Sequence, residues 1–282
     1  MNNQLKTVLL LGLLTGIILL LGNLLGGIMG LTIALVIALL MNFVTYWFSA
    51  KIVLWMYKAK PADKKEHAHL YEMIHNIATK AEIPMPKVYI IETTQANAFA
   101  TGRNPQHGVV AVTTGIMQLL TKEELKGVLA HEIGHVKNRD ILISTVAATI
   151  AGAISFIAMA ARWGALMGGG NNRDNSNMIE ILVLSILTPI IAMLIQLAIS
   201  RSREFEADKT GAHIMGDGKP LASALHKIEK NVHDHPFHQT GATTATAHLF
   251  IHNPLTAKKF LSLLSTHPST QQRVERLEKM KF

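Results

Sequence analysis

Charged residues are absent from three long stretches of the chain, and hydrophobic residues fill these stretches. The first covers residues 7–50, more than twice the roughly 20 residues that one membrane crossing requires. Turn-favouring residues at 22–23 and 26–27 interrupt it. The pattern therefore predicts two membrane spans, near 6–22 and 28–50, joined by a very short loop. A cleaved signal peptide is the alternative, but no small-residue cleavage site precedes the second apolar segment.

The other two uncharged stretches cover residues 141–161 and 181–200, and each has the length of a membrane span. They predict a second membrane hairpin. The stretch 141–161 is rich in alanine and only moderately hydrophobic, so a buried or re-entrant helix is an alternative there. Pro189 lies in the middle of the last stretch, where neighbouring helices can satisfy the carbonyl group that a proline leaves free.

Lysine and arginine concentrate on one side of these four predicted spans. They follow the second span, precede the third and follow the fourth, whereas the loop 162–180 carries two arginines. Because basic flanking residues stay in the cytosol, we expect both termini and the polar segments to be cytosolic. Each polar segment is shorter than a typical domain, which favours one joint domain. The predicted organisation is an N-terminal hairpin (1–50), a first cytosolic part (51–140), a second hairpin (141–200) and a second cytosolic part (201–282).

The composition is typical of a membrane protein and limits the kinds of catalytic and metal-binding site that the chain can form. Of the 282 residues, 49% are hydrophobic and 16% are charged, whereas soluble proteins average about 25% charged residues. Basic flanks of membrane spans account for much of the net charge of +8, and no nucleic-acid-binding motif is present, so we expect no nucleic-acid partner. The absence of cysteine excludes disulfides, iron–sulfur clusters and thiolate zinc sites. The 14 histidines then become the informative titratable residues.

The cytosolic segments predict a mainly helical fold with a small sheet. The sequence Thr121-Lys122-Glu123-Glu124 has the spacing of a capping box, and we expect the helix that it begins to continue through 131–140 toward the third span. The second cytosolic part reads as mostly helical. The other predicted elements are a helix at 67–81, a strand at 88–91, a loop at 97–102, a strand at 109–113 and a polar loop at about 231–247.

A metal-binding motif lies within the capped helix, at His131-Glu132-Ile133-Gly134-His135. Histidines at positions i and i+4 project from one helical face, so His131 and His135 can both reach one zinc ion. Glu132 then lies beside a water molecule whose pKa the zinc lowers to about 7. This glutamate can take the proton from that water and deliver it to the leaving amine of a peptide.

A catalytic zinc site needs a third protein ligand, and three acids compete for this position. They are Glu204, Glu206 and Asp208, which lie where the chain leaves the fourth predicted span. Glu204 and Asp208 share a helical face, so one can bind metal while the other orients a ligand histidine. Glu206 points elsewhere and is expected to be solvated. Alternatively, all three acids pair with neighbouring basic residues at a helix end.

Together these motifs resemble the HtpX-type membrane zinc metalloproteases, which are relatives of the CAAX prenyl protease. The resemblance covers nearly the whole chain and is highly specific. It rests on the two N-terminal spans, the stretches 97–102 and 109–115, the H-E-x-x-H motif with residues 137–140, the second hairpin, the stretch 200–208, and Thr266-His267-Pro268 followed by Arg273.

The resemblance implies a role for several residues. His131, His135 and Glu204 would bind one Zn²⁺ per chain, and Glu132 would be the catalytic acid and base. His267 would stabilise the oxyanion, although a histidine in a turn before Pro268 is the simpler interpretation from sequence. Arg273 would order the site through an acid such as Asp208.

The resemblance also implies an integral membrane protein with four transmembrane helices and a cytosolic, zincin-like α+β metalloprotease domain. Such an enzyme would cleave membrane or misfolded proteins at the cytosolic face of the bacterial plasma membrane, in quality control or stress response. The strand at 109–113, or the stretch 97–98, could present an edge to an extended substrate.

Two other functions fit parts of the sequence. A metal transporter or sensor would carry ionisable ligands inside its spans, and the uncharged stretches contain no Asp, Glu, Lys or Arg. An inactive zinc-binding scaffold would not need Glu132. Irregular spacing favours solvated side chains over a second metal site for a further group of histidines: His233, His235, His238, His248 and His252. Asp140, at the membrane boundary, has no assigned role and could pair with Lys137 or cap the site sterically.

Overall fold

The computed structural model describes residues 3–146, 201–234, 251 and 268–282. Its helices are α1 (Asn3–Met56), α2 (Ala68–Lys80), α3 (Thr114–Leu119), α4 (Lys122–Lys137), α5 (Arg201–Met215), α6 (Lys219–Asp234) and α7 (Thr270–Glu278). Its strands are β1 (Lys60–Pro61), β2 (Lys87–Ile91), β3 (Ala98–Thr101) and β4 (Val109–Thr113). Residues 141–146, at the start of the predicted third span, are helical, and the rest of the second hairpin lies outside the described residues.

Helix α1 folds back on itself near its middle. Gly27 has a φ of 56° and a ψ of −140°, a conformation that glycine adopts without steric cost. The two arms contact each other, because Asn42 Nδ2 donates a hydrogen bond of 2.8 Å to Thr15 Oγ1. A Cβ atom on Gly30 would lie 2.1 Å from the carbonyl oxygen of Gly22. Only glycine therefore allows the arms to approach so closely at the turn.

The turn in α1 confirms part of the sequence prediction. Non-helical dihedral angles occur at Gly26 and Gly27, whereas residues 22–23 remain helical. In the part of the chain that the structure describes, the helix Gly26–Met56 is long and apolar enough to cross a membrane, and it contains the second predicted span. The first predicted span lies in the other arm, and membrane insertion of all four spans stays a prediction.

The sheet lies between the end of α1 and the helices of the polar domain. Its strand order is β1-β2-β4-β3, in which β2 and β4 are parallel and the other pairs antiparallel. One face packs on α2, α4 and α6 in the main core. On the other face, Phe99 and Val109 belong to a smaller core with Val53 and Leu54 of α1. The edge strand β3 thus contacts the last turns of the predicted membrane helix.

The structure confirms some predicted elements and corrects others. The helix at 67–81 and the strands at 88–91 and 109–113 are confirmed within one residue at each end. The loop predicted at 97–102 is wrong, since residues 98–101 form β3. All four residues of β3 are buried, so the strand lacks the alternation of apolar and polar residues that reveals a half-buried strand.

Helix α4 begins as predicted and ends earlier. The capping box at Thr121 and Glu124 is present. The prediction that the helix continues through 131–140 is wrong, because the chain leaves the helix after Lys137 and Arg139 has a φ of 57°. The predicted loop at about 231–247 also starts too early, since α6 extends to Asp234, and the rest of that loop, except Ile251 just beyond it, lies outside the described residues.

Candidate metal centre and active site

Helix α4 places the two motif histidines side by side. The Nε2 atoms of His131 and His135 lie 3.1 Å apart, as expected for residues one helical turn apart. His131 is almost fully buried, and the side chain of His135 is 18% exposed. Helix α4 thus places the Nε2 atoms of both imidazoles next to each other, where one metal ion could bind both.

Close packing of α5 on α4 brings in the third candidate ligand. A Cβ atom on Gly134 would lie 2.9 Å from the carbonyl oxygen of Ala207, and one on Gly211 would lie 2.8 Å from the backbone nitrogen of His131. These two glycines let the helix backbones approach each other. As a result, Glu204 of α5 faces both histidines, with carboxylate oxygens 3.8 Å from His131 Nε2 and 3.7 Å from His135 Nε2.

The three residues match the size of a zinc site. For metal–ligand bonds of 2.0–2.1 Å, two ligand atoms of a tetrahedral zinc lie about 3.4 Å apart. The ligand atoms of His131, His135 and Glu204 are 3.1 to 3.8 Å apart along the pairs described above. All lie within 4.8 Å of one another. Two imidazoles and one carboxylate are also a donor set that zinc accepts in catalytic sites.

Each histidine is oriented by a carboxylate on its other ring nitrogen. His131 Nδ1 lies 2.9 Å from Asp208 Oδ1, and His135 Nδ1 donates to Asp140 Oδ2 at 3.0 Å. Both acids are about 2% exposed or less. A hydrogen bond from Nδ1 fixes the ring and leaves Nε2 available for a metal. The predicted position of Asp208 beside a ligand histidine is thus observed, whereas the contact of Asp140 was missed.

Arg273 of α7 joins this network from a distant part of the chain. Its Nη2 donates to Asp208 Oδ1 at 2.6 Å and its Nε donates to Asp208 Oδ2 at 2.9 Å. Burial opposes ionisation of Asp208, but the Arg273 guanidinium and His131 hold the pKa of Asp208 below its usual value. The Nη1 atom of Arg273 also lies 3.6 Å from Glu204 Oε2. Arg273 therefore contacts two of the three acidic residues of α5.

Glu132 is buried at the wall of the site. Its Oε2 accepts a hydrogen bond of 2.8 Å from the backbone nitrogen of Ala100 in β3. Burial, together with the nearby Glu204 carboxylate, raises the pKa of Glu132 to about 8. A carboxyl group with a pKa in this range can both accept and release a proton near neutral pH.

The site carries an excess of negative charge when all of its carboxylates are ionised. Four buried carboxyl groups surround it, from Glu132, Asp140, Glu204 and Asp208, whereas two buried guanidinium groups, from Arg203 and Arg273, oppose them. With the histidines neutral, as metal binding requires, and all four carboxylates ionised, the sum is two negative charges in excess. A divalent cation would balance this excess, and isolated charges are too costly to bury without such compensation.

The pKa values of the histidines reflect the same environment. Burial and the charge of Arg273 lower the pKa of His131, which favours the neutral imidazole that binds metal. Burial also lowers the pKa of His135, but Asp140 and the neighbouring glutamates more than offset this and raise it to about 10. The carboxylates around His135 thus favour its protonated, positively charged form.

The remaining sequence candidates are Glu206, His267 and the histidine-rich region, and the structure adds Arg203. Glu206 is exposed, in agreement with a solvated side chain. His267 lies outside the described residues, as do the side chains of the histidine-rich region from His233 onward. Arg203 is 8% exposed, and its Nη1 has no hydrogen-bond partner among the residues that the structure describes.

A small cleft, with about 40 Å³ of space for water-sized molecules, opens onto the candidate metal-binding cluster of His131, His135 and Glu204. Its polar lining includes these three candidate ligands with Glu132 and Asp140. Its apolar lining includes Phe99, Ala100, Ile141 and Ile251. Ile251 was not predicted, because nothing in its local sequence places it beside a helix more than a hundred residues earlier in the chain.

Known proteins resemble this chain over nearly its full length. The protease HtpX homologue of Desulfatibacillum aliphaticivorans is 51% identical over 280 residues, which cover 98% of this chain and 89% of that protein. The homologue of Syntrophobacter fumaroxidans is 47% identical over 284 residues, which cover 99% of this chain and all of that protein. These matches confirm the resemblance seen in the motifs.

A solved structure and a family model complete the comparison. The crystal structure of S. mikatae Ste24p matches with a TM-score of 0.50 and 17% identity. It covers 97% of this chain, but this chain spans 64% of that structure, and the likeness concerns the fold alone. The model of peptidase family M48 matches residues 64–281, which contain every described residue of the cluster. The chain therefore belongs to peptidase family M48, together with the HtpX protease homologues.

Proposed function

We propose that this protein is a membrane-embedded, zinc-dependent endopeptidase. The observation that carries the proposal is the position of Glu132, which borders the same cleft as the three candidate ligands His131, His135 and Glu204. A site that served structure alone would have no use for a buried acid at this position. A divalent ion would balance the two negative charges that remain when the histidines are neutral and the carboxylates ionised, and the imidazole and carboxylate donors favour zinc.

The residues of the cleft supply the steps of peptide hydrolysis. A bound Zn²⁺ would polarise the peptide carbonyl and lower the pKa of a water molecule to about 7. Glu132 accepts one proton from the attacking water as its oxygen bonds to the carbonyl carbon, and then delivers this proton to the nitrogen of the leaving amine. The N–H group of Ala100 holds the Glu132 carboxylate in place for both transfers.

Other residues hold this arrangement. Asp208 and Asp140 keep the two imidazoles in the orientation that binding requires. Arg273 is engaged by Asp208, so we assign it a positioning role. From the resemblance to HtpX-type enzymes, we also propose that His267 donates to the oxyanion that develops during attack.

The apolar helix Gly26–Met56 and the family support a proposal for the cellular setting. We propose a multi-pass protein of the bacterial plasma membrane with cytosolic termini and active site, acting on membrane or unfolded proteins in quality control or stress response. The Tyr57 ring at the end of α1 lies 5.3 Å from the ring of Phe99, which lines the cleft. This contact supports a cleft that opens close to the bilayer surface, where segments of membrane proteins emerge.

Substitution of Glu132 tests the proposed chemistry. In purified full-length protein with zinc, Glu132→Gln should reduce cleavage of casein by roughly 10²- to 10⁴-fold, the usual contribution of a general acid and base. The variant should keep its zinc, because Glu132 is not among the candidate ligands. Cleavage is measured by the release of fluorescent peptides, and metal by elemental analysis.

Glu206→Gln is the matched control, since Glu206 is an exposed glutamate of α5. This variant should cleave casein at the wild-type rate. If Glu132→Gln also cleaved at the wild-type rate, another residue would have to transfer the proton and the proposed mechanism would be wrong.

A further inference from the structure

Ile251 is held in the active site by hydrogen bonds to its backbone. Its N–H group donates to Asn97 Oδ1 at 3.3 Å, and its carbonyl oxygen accepts from Arg273 Nη1 at 3.0 Å. Asn97 precedes β3 by one residue, and Arg273 also binds Asp208. Ile251 is thus tied to the edge strand on one side and to the metal-binding cluster on the other.

The two anchors are themselves rigidly placed. Asn97 and Arg273 are each 2% exposed. The backbone N–H of Asn97 donates to Thr113 Oγ1 at 2.9 Å, and its carbonyl oxygen accepts from the same hydroxyl. Because both anchors bind the backbone, the position of Ile251 does not depend on the chemistry of its own side chain. The side chain can therefore be exchanged while the backbone keeps its place.

Ile251 is 5% exposed, packs in the main core and is one of the residues that line the cleft. Phe99, Ala100 and Ile141 are the other apolar residues of the lining. The polar residues of the cleft can act on a peptide group, whereas these four residues offer no hydrogen-bonding side chain. A substrate side chain that enters here would exchange water for apolar contacts.

We propose that Ile251 is a specificity-determining residue, whose side chain limits the size of the apolar substrate residue next to the scissile bond. This inference rests on the proposed endopeptidase function. The wild-type cleft, closed by a branched aliphatic side chain, favours substrate residues of moderate size over large aromatic ones. One methylene group in an apolar pocket changes the selectivity by roughly 10- to 200-fold, so changes at Ile251 have measurable consequences.

The test uses two series of fluorogenic peptides and the zinc-loaded full-length protein. In each series one residue flanking the scissile bond, on either its amino or its carboxyl side, is Ala, Leu or Phe. Ile251→Ala should raise the ratio of kcat/KM for Phe over Ala peptides at least about 10-fold in one series. Ile251→Phe should lower the same ratio, and Ile251→Val should change it in the same direction as Ile251→Ala but less.

Ile228→Ala is the matched control, because Ile228 is a fully buried isoleucine of α6 in the same core that does not line the cleft. This variant should change kcat/KM for all peptides by one common factor, so that the ratio for Phe over Ala peptides stays the same. Opposite shifts of the ratio in Ile251→Ala and Ile251→Phe, at unchanged zinc content, would support the proposal.

Failure of the inference about Ile251 can be distinguished from failure of the proposed function. If the wild-type protein cleaves peptides but none of the Ile251 variants changes the ratio in either series, Ile251 does not determine specificity and the proposed function stands. If the zinc-loaded wild-type protein cleaves no peptide or protein, the proposed function is wrong and the inference falls with it.

Discussion

At the scale of single residues, the orientation of the two histidines depends on two carboxylates of very different origin. Asp208 comes from α5, more than seventy residues after His131, whereas Asp140 follows His135 by five residues. Asp140 reaches His135 because the chain leaves α4 through Arg139 in a left-handed conformation. The end of the helix is therefore part of the site.

Replacement of Asp140 should weaken metal binding. We expect Asp140→Ala to lower zinc affinity by roughly 10- to 100-fold, the usual cost of losing a hydrogen bond that orients a ligand histidine. Asp140→Asn should cost less, because an amide oxygen can still accept the proton of His135 Nδ1. Competition with a chromophoric chelator measures the affinity of the purified variants.

Asp217→Asn serves as the control, since Asp217 is exposed and binds the backbone N–H of Lys219 far from the cluster. It should leave zinc affinity unchanged. Equal affinity of Asp140→Ala and the wild-type protein would show that His135 does not need this carboxylate.

The amino-acid sequence predicted the candidate metal ligands and Glu132, but not all of the residues that orient or surround them. His131, Glu132 and His135 form a motif with fixed helical spacing, and the spacing of Glu204 and Asp208 placed both on one face of a helix. The contact of Asp140 depends on a break in the helix, and the position of Ile251 depends on side chains distant in sequence. Neither leaves a local pattern in the amino-acid sequence.

At the scale of elements, α4 is the helix on which α5, α6 and α2 pack. Glu124 fixes the N-terminus of α4 through both of its carboxylate oxygens. One carboxylate oxygen accepts from Thr121 N–H at 2.8 Å and from Lys227 Nζ at 2.8 Å, and the other accepts from Ser223 Oγ at 2.6 Å. The capping box of α4 is therefore also its connection to α6, far from the metal ligands.

Glu124 should make stability depend on pH. Burial opposes its ionisation, but hydrogen bonds from Lys227, Ser223 and Thr121 prevail and lower its pKa from 4.5 to about 2. Since the folded-state pKa is depressed, the stabilisation is complete above pH 4.5 and is lost as the pH falls toward 2. We expect Glu124→Gln to reduce the free energy of unfolding by about 1–3 kcal/mol at pH 7.

The difference between Glu124→Gln and wild type should narrow below pH 4.5, as followed by thermal unfolding in detergent. Glu123→Gln is the control, because Glu123 lies in the same turn, is 64% exposed and pairs with Lys126 across one helical turn. Such exposed pairs contribute under about 1 kcal/mol. If Glu124→Gln lowered the free energy of unfolding no more than Glu123→Gln does, Glu124 would not stabilise the connection between α4 and α6.

Elements with a clear period or cap were predictable, and those without one were not. The capping box marked the start of α4, and the apolar spacing marked α2. Strand β3 is buried on both faces, and β1 has two residues, so neither carries a periodic signal. Their place in the sheet is decided by pairing with β4 and β2, which are distant in sequence.

At the scale of the whole molecule, one sheet joins the apolar helix to α4, which carries the candidate ligands His131 and His135. The end of α1 packs on the face of the sheet opposite α4, and strand β3 contacts both through Phe99 and Ala100. The metal-binding cluster is therefore one strand away from the predicted membrane helix. This arrangement agrees with a protease that acts at a membrane surface.

Reporter fusions test the membrane orientation. A reporter joined after residue 65 should give a cytosolic signal, because the lysines that follow the second predicted span favour the cytosol. A reporter joined after residue 170 should give an external signal. An external signal after residue 65 would overturn the proposed topology.

Zinc content of the purified full-length protein is the most direct test of the proposed metal centre. The wild-type protein and Glu206→Ala should each contain about one zinc per chain, as a single site with three protein ligands requires. Glu204→Ala should lose the zinc, because it removes the carboxylate that faces both histidines. A wild-type protein without zinc, or equal zinc in Glu204→Ala and Glu206→Ala, would contradict the proposed metal centre.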